Sequence, residues 1–421
     1  MPAPAASVAC DFYPKLLCRF VQKEGIVEMI QQFSMIDLEK RLIRSIIEID
    51  SLAFAESLQG SFEEEYDRFT ANRDAYVFLY DDDRMAGYLT LFPIKPELHK
   101  RIISEDRVFD SDIPGSMIEQ YQPSQIYDLY LLSVAVRPEY QGRGLSRHLI
   151  KGFYEYLLNK RSENIHFSSI LSTAMTDEGR RFLEKIGLRK KRDLPGGHDL
   201  YELIVDESTY STAEAYLAGA SNSPRVEAAI IHMFSMKDMD TELLKGVLGI
   251  DSQVYPSHLL TTVDEAYDRL EANRDMFALL YDSKRLIGYM CVFPVKPFLY
   301  ERIISEDRLF DSDITGDMIE VYHQGRAYNL YLLSVAILPE YQGRGLAKQF
   351  TKWFFNYLLE KRSNNIYFSS ALSVAISKEG RLLLEKMGFR KKKGITGGYT
   401  LLELTIDEHT YKLAEGYISG K

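Results

Sequence analysis

Apolar and polar residues in the first half of the chain follow two different periods, which predict both strands and helices. Residues 76–80 and 85–92 are apolar runs on either side of a polar turn at 81–84, a pattern typical of a β-hairpin. Residues 127–136 form a longer apolar run, which predicts a buried strand. Residues 145–160 place apolar side chains every three or four positions, which predicts an amphipathic helix. This mixture favours an α/β (α+β) fold with a mixed sheet covered by helices.

Shorter patterns complete this prediction for the first half. Helices are predicted over 38–49, 62–69 and 178–185, and strands near 33 and over 165–171 and 199–205. Pro93 and Pro96 predict the end of the sheet at that point, because proline cannot donate to a strand ladder. Residues 97–126 are then predicted to be an insertion with helical pieces.

The whole pattern occurs twice, with a constant offset of 201 residues. RIISED stands at 101–106 and 302–307, YLLSVA at 130–135 and 331–336, and PEYQGRGL at 138–145 and 339–346. A single offset kept from about residue 33 to 219 indicates a duplicated domain rather than a solenoid, whose periods are far shorter. We therefore predict an N-terminal extension at 1–25, domains at 26–219 and 226–421, and a linker at 220–225.

Composition narrows the functional classes. A formal net charge of −10 disfavours binding to nucleic acid, whose phosphates attract basic proteins. Three scattered cysteines predict neither a disulfide framework nor a metal site, and they favour a reducing, cytoplasmic compartment. The N-terminus does not read as a secretory signal, and no apolar run is long enough to predict a membrane span.

The stretch that carries chemistry is the glycine-rich turn after the apolar strand. It reads Arg137-Pro-Glu-Tyr-Gln-Gly-Arg-Gly-Leu145 and leads directly into the amphipathic helix. Glycines allow close approach of the backbone, and the first turn of a helix offers free N–H groups and a positive dipole end. A diphosphate is the fitting ligand, and the alternative is an ordinary strand–turn–helix corner that binds nothing.

The order of these residues resembles the signature of the GNAT (Gcn5-related N-acetyltransferase) superfamily. In that signature Val-x-Pro-x-Tyr precedes Gln/Arg-x-x-Gly-x-Gly/Ala; the second copy, with Ile337 at the Val position, matches the glycine-rich part fully, and the first ends in Ser146 instead. The resemblance implies two tandem GNAT folds, each a seven-stranded mixed sheet whose fourth and fifth strands splay apart around an acyl-CoA such as acetyl-CoA. The cofactor-binding residues that it implies are Val134, Ala135, Val136, Gln141, Gly142, Arg143, Gly144, Leu145 and Ser146, and then Val335, Ala336, Ile337, Gln342, Gly343, Arg344, Gly345, Leu346 and Ala347.

The chain departs from the family where protons are transferred. Leu183 and Leu384 stand where many members have an acidic tyrosine, and Tyr130 and Tyr331 stand where many have a basic glutamate. Either tyrosine can act as acid or base with a shifted pKa, or it can be a packed aromatic side chain.

Other side chains could also carry protons. Asp128, on the same strand face as Tyr130, is another candidate base, and its counterpart Asn329 cannot take a proton. The serine pairs Ser133/Ser334 and Ser172/Ser373 are possible relays, although hydroxyls in strands more often bond to backbone.

Two charged segments have open interpretations. The insertion before the fourth strand is acidic, with Glu105, Asp106, Asp110 and Asp112 repeated at Glu306, Asp307, Asp311 and Asp313. It could hold the ammonium group of an acceptor or form internal salt bridges with nearby arginines. The basic runs at 189–192 and 390–393 are interpreted as solvated strand edges, or else as contacts to a nucleotide phosphate.

The functional hypothesis is therefore an acyl-CoA-dependent transferase that acetylates a primary amine of a small molecule or protein. The alternative is an acyl-CoA-binding sensor or scaffold with little turnover. A third hypothesis is a transferase whose acceptor lies between an active and a degenerate half.

Overall fold

The computed structural model describes residues 30–54, 59–81, 84–106, 112–220, 231–283, 285–307 and 311–419. The predicted extension at 1–25, most of the predicted linker and Asp110 lie outside these described residues. The chain divides into two compact units, one of residues 40–239 and one in which residues 30–39 join residues 240–421.

Both sequence repeats fold into the same succession of elements. In the first repeat these are β1 (Ile30–Ser34), α1 (Met35–Ala53), α2 (Phe62–Ala71), β2 (Tyr76–Asp81), β3 (Arg84–Ile94), α3 (Pro96–Ser104), β4 (Ile126–Val136), α4 (Ser146–Ser162), β5 (His166–Ala174), α5 (Asp177–Lys185), β6 (Arg189–Leu194), β7 (His198–Ile204) and α6 (Glu207–Ala220). In the second they are β8 (Ile231–Ser235), α7 (Met236–Val254), α8 (Val263–Ala272), β9 (Phe277–Asp282), β10 (Arg285–Val295), α9 (Pro297–Ser305), β11 (Ala327–Ile337), α10 (Ala347–Ser363), β12 (Tyr367–Ala375), α11 (Lys378–Lys386), β13 (Arg390–Ile395), β14 (Tyr399–Thr405) and α12 (Glu408–Ser419).

Each unit contains one seven-stranded mixed sheet, which confirms the predicted fold class. The strand orders are β8-β2-β3-β4-β5-β7-β6 in one sheet and β1-β9-β10-β11-β12-β14-β13 in the other. Among the strand pairs that the structure describes, only the central ones, β4 with β5 and β11 with β12, are parallel. The apolar stripes of α4 and α10 cover these sheets, with Phe153 and Phe354 fully buried at equivalent positions.

In each sheet, six strands come from one sequence repeat and one edge strand comes from the other repeat. Strand β1, at the start of the first repeat, pairs antiparallel with β9 of the second, with Phe33 opposite Leu279. Strand β8, at the start of the second repeat, pairs antiparallel with β2 of the first. Domain boundaries drawn from the 201-residue offset place these two strands with their own repeats, whereas the compact units exchange them.

The parallel central pair of each sheet separates before its strands end. Pairing between β11 and β12 stops at Leu332 and Ser373, although β11 continues to Ile337. Pairing between β4 and β5 stops at Leu131 and Ser172. The separated strand ends form the splay that the sequence resemblance implied.

Two local predictions needed correction or extension. Strand β3 continues through Pro93 to Ile94, because the Pro93 carbonyl accepts the Glu119 N–H and Pro93 pairs with Leu129. The helices α6 (Glu207–Ala220) and α12 (Glu408–Ser419) were not predicted. Strands β6 and β13 carry the two basic runs at sheet edges, as interpreted from sequence.

None of the helices in the described part of the chain is long and apolar enough to span a bilayer.

Candidate functional site

The glycine-rich turn after β11 requires a backbone conformation that side chains disfavour. Gly343 and Gly345 have φ angles of 75° and 79°, in the left-handed region. A Cβ atom built at either position meets no other atom within 4 Å, so both glycines face open space. Gly142 and Gly144 repeat this geometry in the first unit, with φ angles of 74° and 79°.

Side-chain contacts of three residues fix the conformation of the turn after β11. The Tyr341 hydroxyl donates to Asp282 at 2.7 Å and ties the turn to the β9–β10 hairpin. The Gln342 amide donates to the Ile337 carbonyl at 2.8 Å and closes the end of β11. Arg344 lies over the Tyr341 ring, with 4.8 Å between the guanidinium carbon and the ring centroid. Gln342 and Arg344 therefore shape and charge the turn while its backbone stays open.

The backbone N–H groups of this turn are available to a ligand. Among the residues that the structure describes, none accepts a hydrogen bond from the N–H groups of residues 343–346. These groups lie at the start of α10, where the helix dipole adds partial positive charge. Together with Arg344 they form a site suited to a diphosphate.

The turn and the splay open into one pocket of about 870 Å³. Of the residues predicted to bind a cofactor in this unit, seven line it: Val335, Ile337, Gln342, Gly343, Gly345, Leu346 and Ala347. Ala336 is buried on the opposite face of β11, as the alternation of side chains along a strand requires. Any contact of Ala336 with a cofactor would therefore be through its backbone.

The first unit places its predicted residues in the same local arrangement. Ser146 is the first residue of α4, as Ala347 is of α10, so a serine there does not alter the start of the helix. Gln141 donates to the Val136 carbonyl at 3.1 Å, and the Tyr140 hydroxyl donates to Asp81 at 2.8 Å. Val134 and Val136 are partly exposed, whereas Ala135 and Leu145 are buried.

Tyr331 lies where the two central strands of the second unit begin to separate. Its side chain is 4% exposed, packs edge-to-face against Phe293 and lines the pocket. Leu384 of α11 lines the same pocket without any group that can carry a proton. The Ser373 hydroxyl donates to the Leu332 carbonyl at 2.9 Å, as strand hydroxyls commonly do, which leaves Ser334 as the other predicted relay.

The equivalent residues of the first unit have different partners. The Tyr130 hydroxyl donates to Thr173 at 3.2 Å, whereas the residue that corresponds to Thr173 in the second unit is Val374, which has no hydroxyl. Asp128 lies in the paired part of β4 and accepts hydrogen bonds from Ser168 at 2.5 Å and Ser169 at 2.7 Å. The two units thus differ chemically around the same backbone frame.

One wall of the pocket was not predicted from sequence, because its residues are distant in sequence from the glycine-rich turn. Tyr255, after α7, donates its hydroxyl to the Val335 carbonyl at 3.0 Å, and its counterpart in the first repeat is Phe54. His258 and Tyr399 meet at 3.3 Å on the same wall. The signal that could have found these residues is that each differs from its counterpart in the first repeat, where Phe54, Ser57 and His198 stand.

The acidic insertion is engaged in salt bridges. Glu306 pairs with Arg302 at 2.9 Å, and Asp307 pairs with Lys393 at 3.1 Å. In the first unit Glu105 pairs with Arg101 and Asp106 with Arg192. None of these four carboxylates is among the described residues that line the pocket. The salt-bridge interpretation therefore fits the structure better than an ammonium-binding role.

Comparisons with known proteins agree with this geometry. The model of the acetyltransferase (GNAT) family matches residues 43–187 and 246–389, which is one match in each repeat and more than half of the chain. No curated protein sequence matches the chain.

Solved structures similar to parts of the chain include three GNAT proteins. The loading GNATL domain of CurA from Lyngbya majuscula is 17% identical over 42% of this chain and 96% of its own, with a TM-score of 0.28. Ard1 from Thermoplasma volcanium is 17% identical over 42% and 97%, with a TM-score of 0.28. A mosquito arylalkylamine N-acetyltransferase is 15% identical over 39% and 95%, also at 0.28.

Proposed function

We propose, from the premise that the chain belongs to the acetyltransferase (GNAT) family, that it transfers an acyl group from acyl-CoA to a primary amine. Acetyl-CoA is the proposed donor, and the acceptor is an amine of a small molecule or protein. The observation that carries the proposal is one pocket in which the free N–H groups of residues 343–346 meet the separated strands β11 and β12.

The residues of this pocket divide into two roles. The turn at 342–347 would hold the pyrophosphate, and the exposed edge of β11 at Val335 and Ile337 would pair with the pantetheine amides. Because Tyr255 donates to the Val335 carbonyl, the ligand must displace this hydroxyl or use neighbouring backbone groups. Held in this way, the thioester would meet the amine close to Tyr331.

Tyr331 is the proposed proton donor to the departing thiolate in the second unit. It lies at the point of strand separation, while Leu384 occupies the position where many family members have their acid. In the first unit the same proposal falls on Tyr130, with Asp128 as a candidate base. The pocket that Tyr331 lines makes the second unit the stronger candidate for turnover.

A second candidate function is an acyl-CoA-binding sensor. It is favoured by a specific observation, since neither Leu183 nor Leu384 can protonate a thiolate. Both functions require acyl-CoA binding, and only the first requires release of free thiol in the presence of an amine.

Calorimetric titration with acetyl-CoA, followed by a thiol-release assay across primary amines, tests the proposal. Saturable binding with amine-dependent thiol release is the expected result. Binding without thiol release for any amine would support the sensor instead. An absence of binding to the intact chain would contradict both functions.

A further inference from the structure

A buried carboxylate lies beneath the pocket of the second unit. Asp251, near the end of α7, is only 8% exposed. Burial raises the pKa of Asp251 to about 6, and this outweighs the opposing effects of the Tyr289 hydrogen bond and the Arg269 charge. A carboxyl group in this state can take up a proton near neutral pH without being permanently protonated there.

Asp251 is connected to the pocket by two hydroxyl groups. The Tyr289 hydroxyl on β10 donates to Asp251. Ser334 on β11 lines the pocket three residues after Tyr331, and its hydroxyl lies close enough to Tyr289 to lower the pKa of that phenol. Burial has the larger, opposite effect and holds the pKa of Tyr289 well above its usual value, so the phenol stays protonated. The Tyr289 hydrogen bond therefore points toward Asp251, and Ser334 connects Tyr289 with the pocket.

A small cavity beside this chain is large enough for about one water molecule. Its volume is about 20 Å³, and its lining includes Asp251, Thr261, Arg269, Tyr289 and Ser334. Such a water would have polar partners on several sides and would allow the hydroxyl groups to reorient after a proton has moved.

The other charged or titratable groups around Asp251 come from three neighbouring segments. Arg269 faces it from α8 and donates to the Ile314 carbonyl and the Thr261 hydroxyl, both at 3.1 Å. The Cys291 thiol faces the same cavity from β10, and the Tyr255 phenol lies close to Tyr289 from the loop after α7. Among the described residues that line the cavity, Asp251 is the only carboxylate.

We propose that Asp251 is the terminal proton acceptor of the second unit and is reached from the pocket through Ser334 and Tyr289. This inference rests on the proposed transferase function. As the amine nitrogen forms its bond to the thioester carbon, it must lose one proton. That proton passes to the Ser334 oxygen, the Ser334 hydrogen passes to the Tyr289 oxygen, and the Tyr289 hydrogen passes to the Asp251 carboxylate. The carbon–sulfur bond then breaks, and the CoA thiolate takes its proton from Tyr331 or water.

The same chain occurs in the first unit. The Tyr88 hydroxyl donates to the buried Asp50, and the neighbouring Ser133 hydroxyl lowers the pKa of Tyr88, as Ser334 does that of Tyr289. The candidate base Asp128, in contrast, is replaced by Asn329 in the second repeat. The buried carboxylate and its tyrosine partner are thus present in both described units, whereas Asp128 is not.

The test uses the full chain with the first turn disabled by Gly144→Glu, so that only the second unit is measured. Asp251→Asn can still accept the Tyr289 hydrogen bond but cannot take a proton, and Tyr289→Phe cuts the relay while it keeps the ring. Tyr281→Phe is the matched control, because it removes a fully buried phenol on β9 that lines neither cavity.

The relay predicts a specific kinetic signature. Asp251→Asn and Tyr289→Phe should lower kcat by about a hundredfold or more, whereas acyl-CoA affinity stays within about threefold of the parent. The decline of kcat/KM on the acid side, near pH 6, should be present in the parent and in Tyr281→Phe and absent in Asp251→Asn. Fluorescence of Trp353, the single tryptophan of the chain, checks that the second unit is folded.

Each outcome decides between the two proposals. If Asp251→Asn retains the kcat of the parent within about threefold together with its acid-side decline, the relay is overturned and the transferase function stands. If Asp251→Asn does not fold, Tyr289→Phe decides by the same criterion. A parent that binds acyl-CoA and releases no thiol with any amine overturns the transferase function, and the relay with it.

Discussion

Two tyrosines at the same register position, Tyr130 and Tyr331, illustrate how a repeat can diverge at the level of single residues. Both lie at the point where the central strands separate, and both are nearly buried. Thr173 accepts the Tyr130 hydroxyl, whereas the second unit has Val374 in its place. Tyr331 also lines the pocket of the second unit, which is why we assign it the greater chemical role.

Tyr331→Phe should separate catalysis from binding. In a chain whose first turn is disabled by Gly144→Glu, the substitution keeps the ring that packs on Phe293 and removes only the hydroxyl. We expect kcat to fall by about a hundredfold or more with acyl-CoA affinity nearly unchanged, which steady-state kinetics and calorimetry measure. A kcat within about threefold of the parent would identify Tyr331 as a packed aromatic side chain and assign its role to water or Ser334.

Asp251 should also change the pH dependence of stability. Its pKa is raised from about 4 in an unfolded chain to about 6 in the folded unit, so the folded state prefers the protonated form. The stabilising contribution is thus fully present below pH 4 and is lost as the pH rises toward 6. Relative to the parent, Asp251→Asn should gain roughly 3 kcal/mol in unfolding free energy between pH 4 and pH 7.

Denaturant unfolding followed by Trp353 fluorescence measures this effect in the second unit alone, since Trp353 lies in α10. Tyr281→Phe should follow the parent at every pH. A difference between Asp251→Asn and the parent that does not vary with pH would show that the carboxyl group titrates normally.

At the level of single elements, the turn between β11 and α10 combines a strained backbone with free N–H groups. Gly345 has a φ angle of 79° and open space where a Cβ would lie, so a side chain there would strain the backbone and project toward the ligand. The turn can therefore be tested by two substitutions of Gly345 that impose the same backbone strain and differ only in side-chain charge.

Gly345→Glu should abolish acyl-CoA binding in the second unit, and Gly345→Gln should weaken it less. Both side chains have the same length and the same backbone strain, but only glutamate brings a negative charge to the diphosphate position. Calorimetry in the Gly144→Glu background measures both affinities, and raising the salt concentration should narrow their difference. Equal affinities for the parent and a folded Gly345→Glu would mean that the turn does not bind an anion.

The turn could be predicted from sequence because its geometry is local. The order strand, glycine-rich turn and helix lies within about twenty consecutive residues, and each position has a clear physical requirement. The far wall of the pocket could not be predicted in this way. Tyr255, His258 and Tyr399 reach it from loops that are distant in sequence, and the relay from Asp251 to Ser334 spans three separate elements. Contacts of that kind depend on tertiary packing and leave no periodic pattern.

At the scale of the whole molecule, duplication predicts two binding sites per chain. Both turns have the same glycine conformations, the same glutamine contact and the same tyrosine tether. Calorimetry with acetyl-CoA should therefore give two sites, with the second unit tighter because Ala347 matches the family pattern where Ser146 departs from it. Gly144→Glu and Gly345→Glu should each remove one site, and a stoichiometry of one for the parent would contradict this prediction.

The exchange of β1 and β8 could not be predicted from sequence for a different reason. Residues 30–34 and 231–235 have isoleucine, phenylalanine and serine at the same three positions. Either strand can therefore present the same pattern to β2 or to β9, and local sequence does not choose between them. The choice depends on the path of the chain, which no periodicity records.

Amide hydrogen exchange, measured on variants in which either first strand is replaced, tests whether the two repeats swap β1 and β8. Replacing residues 30–34 by a Gly/Ser segment of equal length should increase exchange in β9, because β1 pairs with β9. The same replacement at 231–235 should instead increase exchange in β2, the partner of β8. Loss of such hydrogen bonds, each worth about 1 kcal/mol, should raise the exchange rates by about fivefold or more. The reverse assignment, with residues 30–34 protecting β2, would mean that each repeat keeps its own first strand and that the domains follow the 201-residue offset.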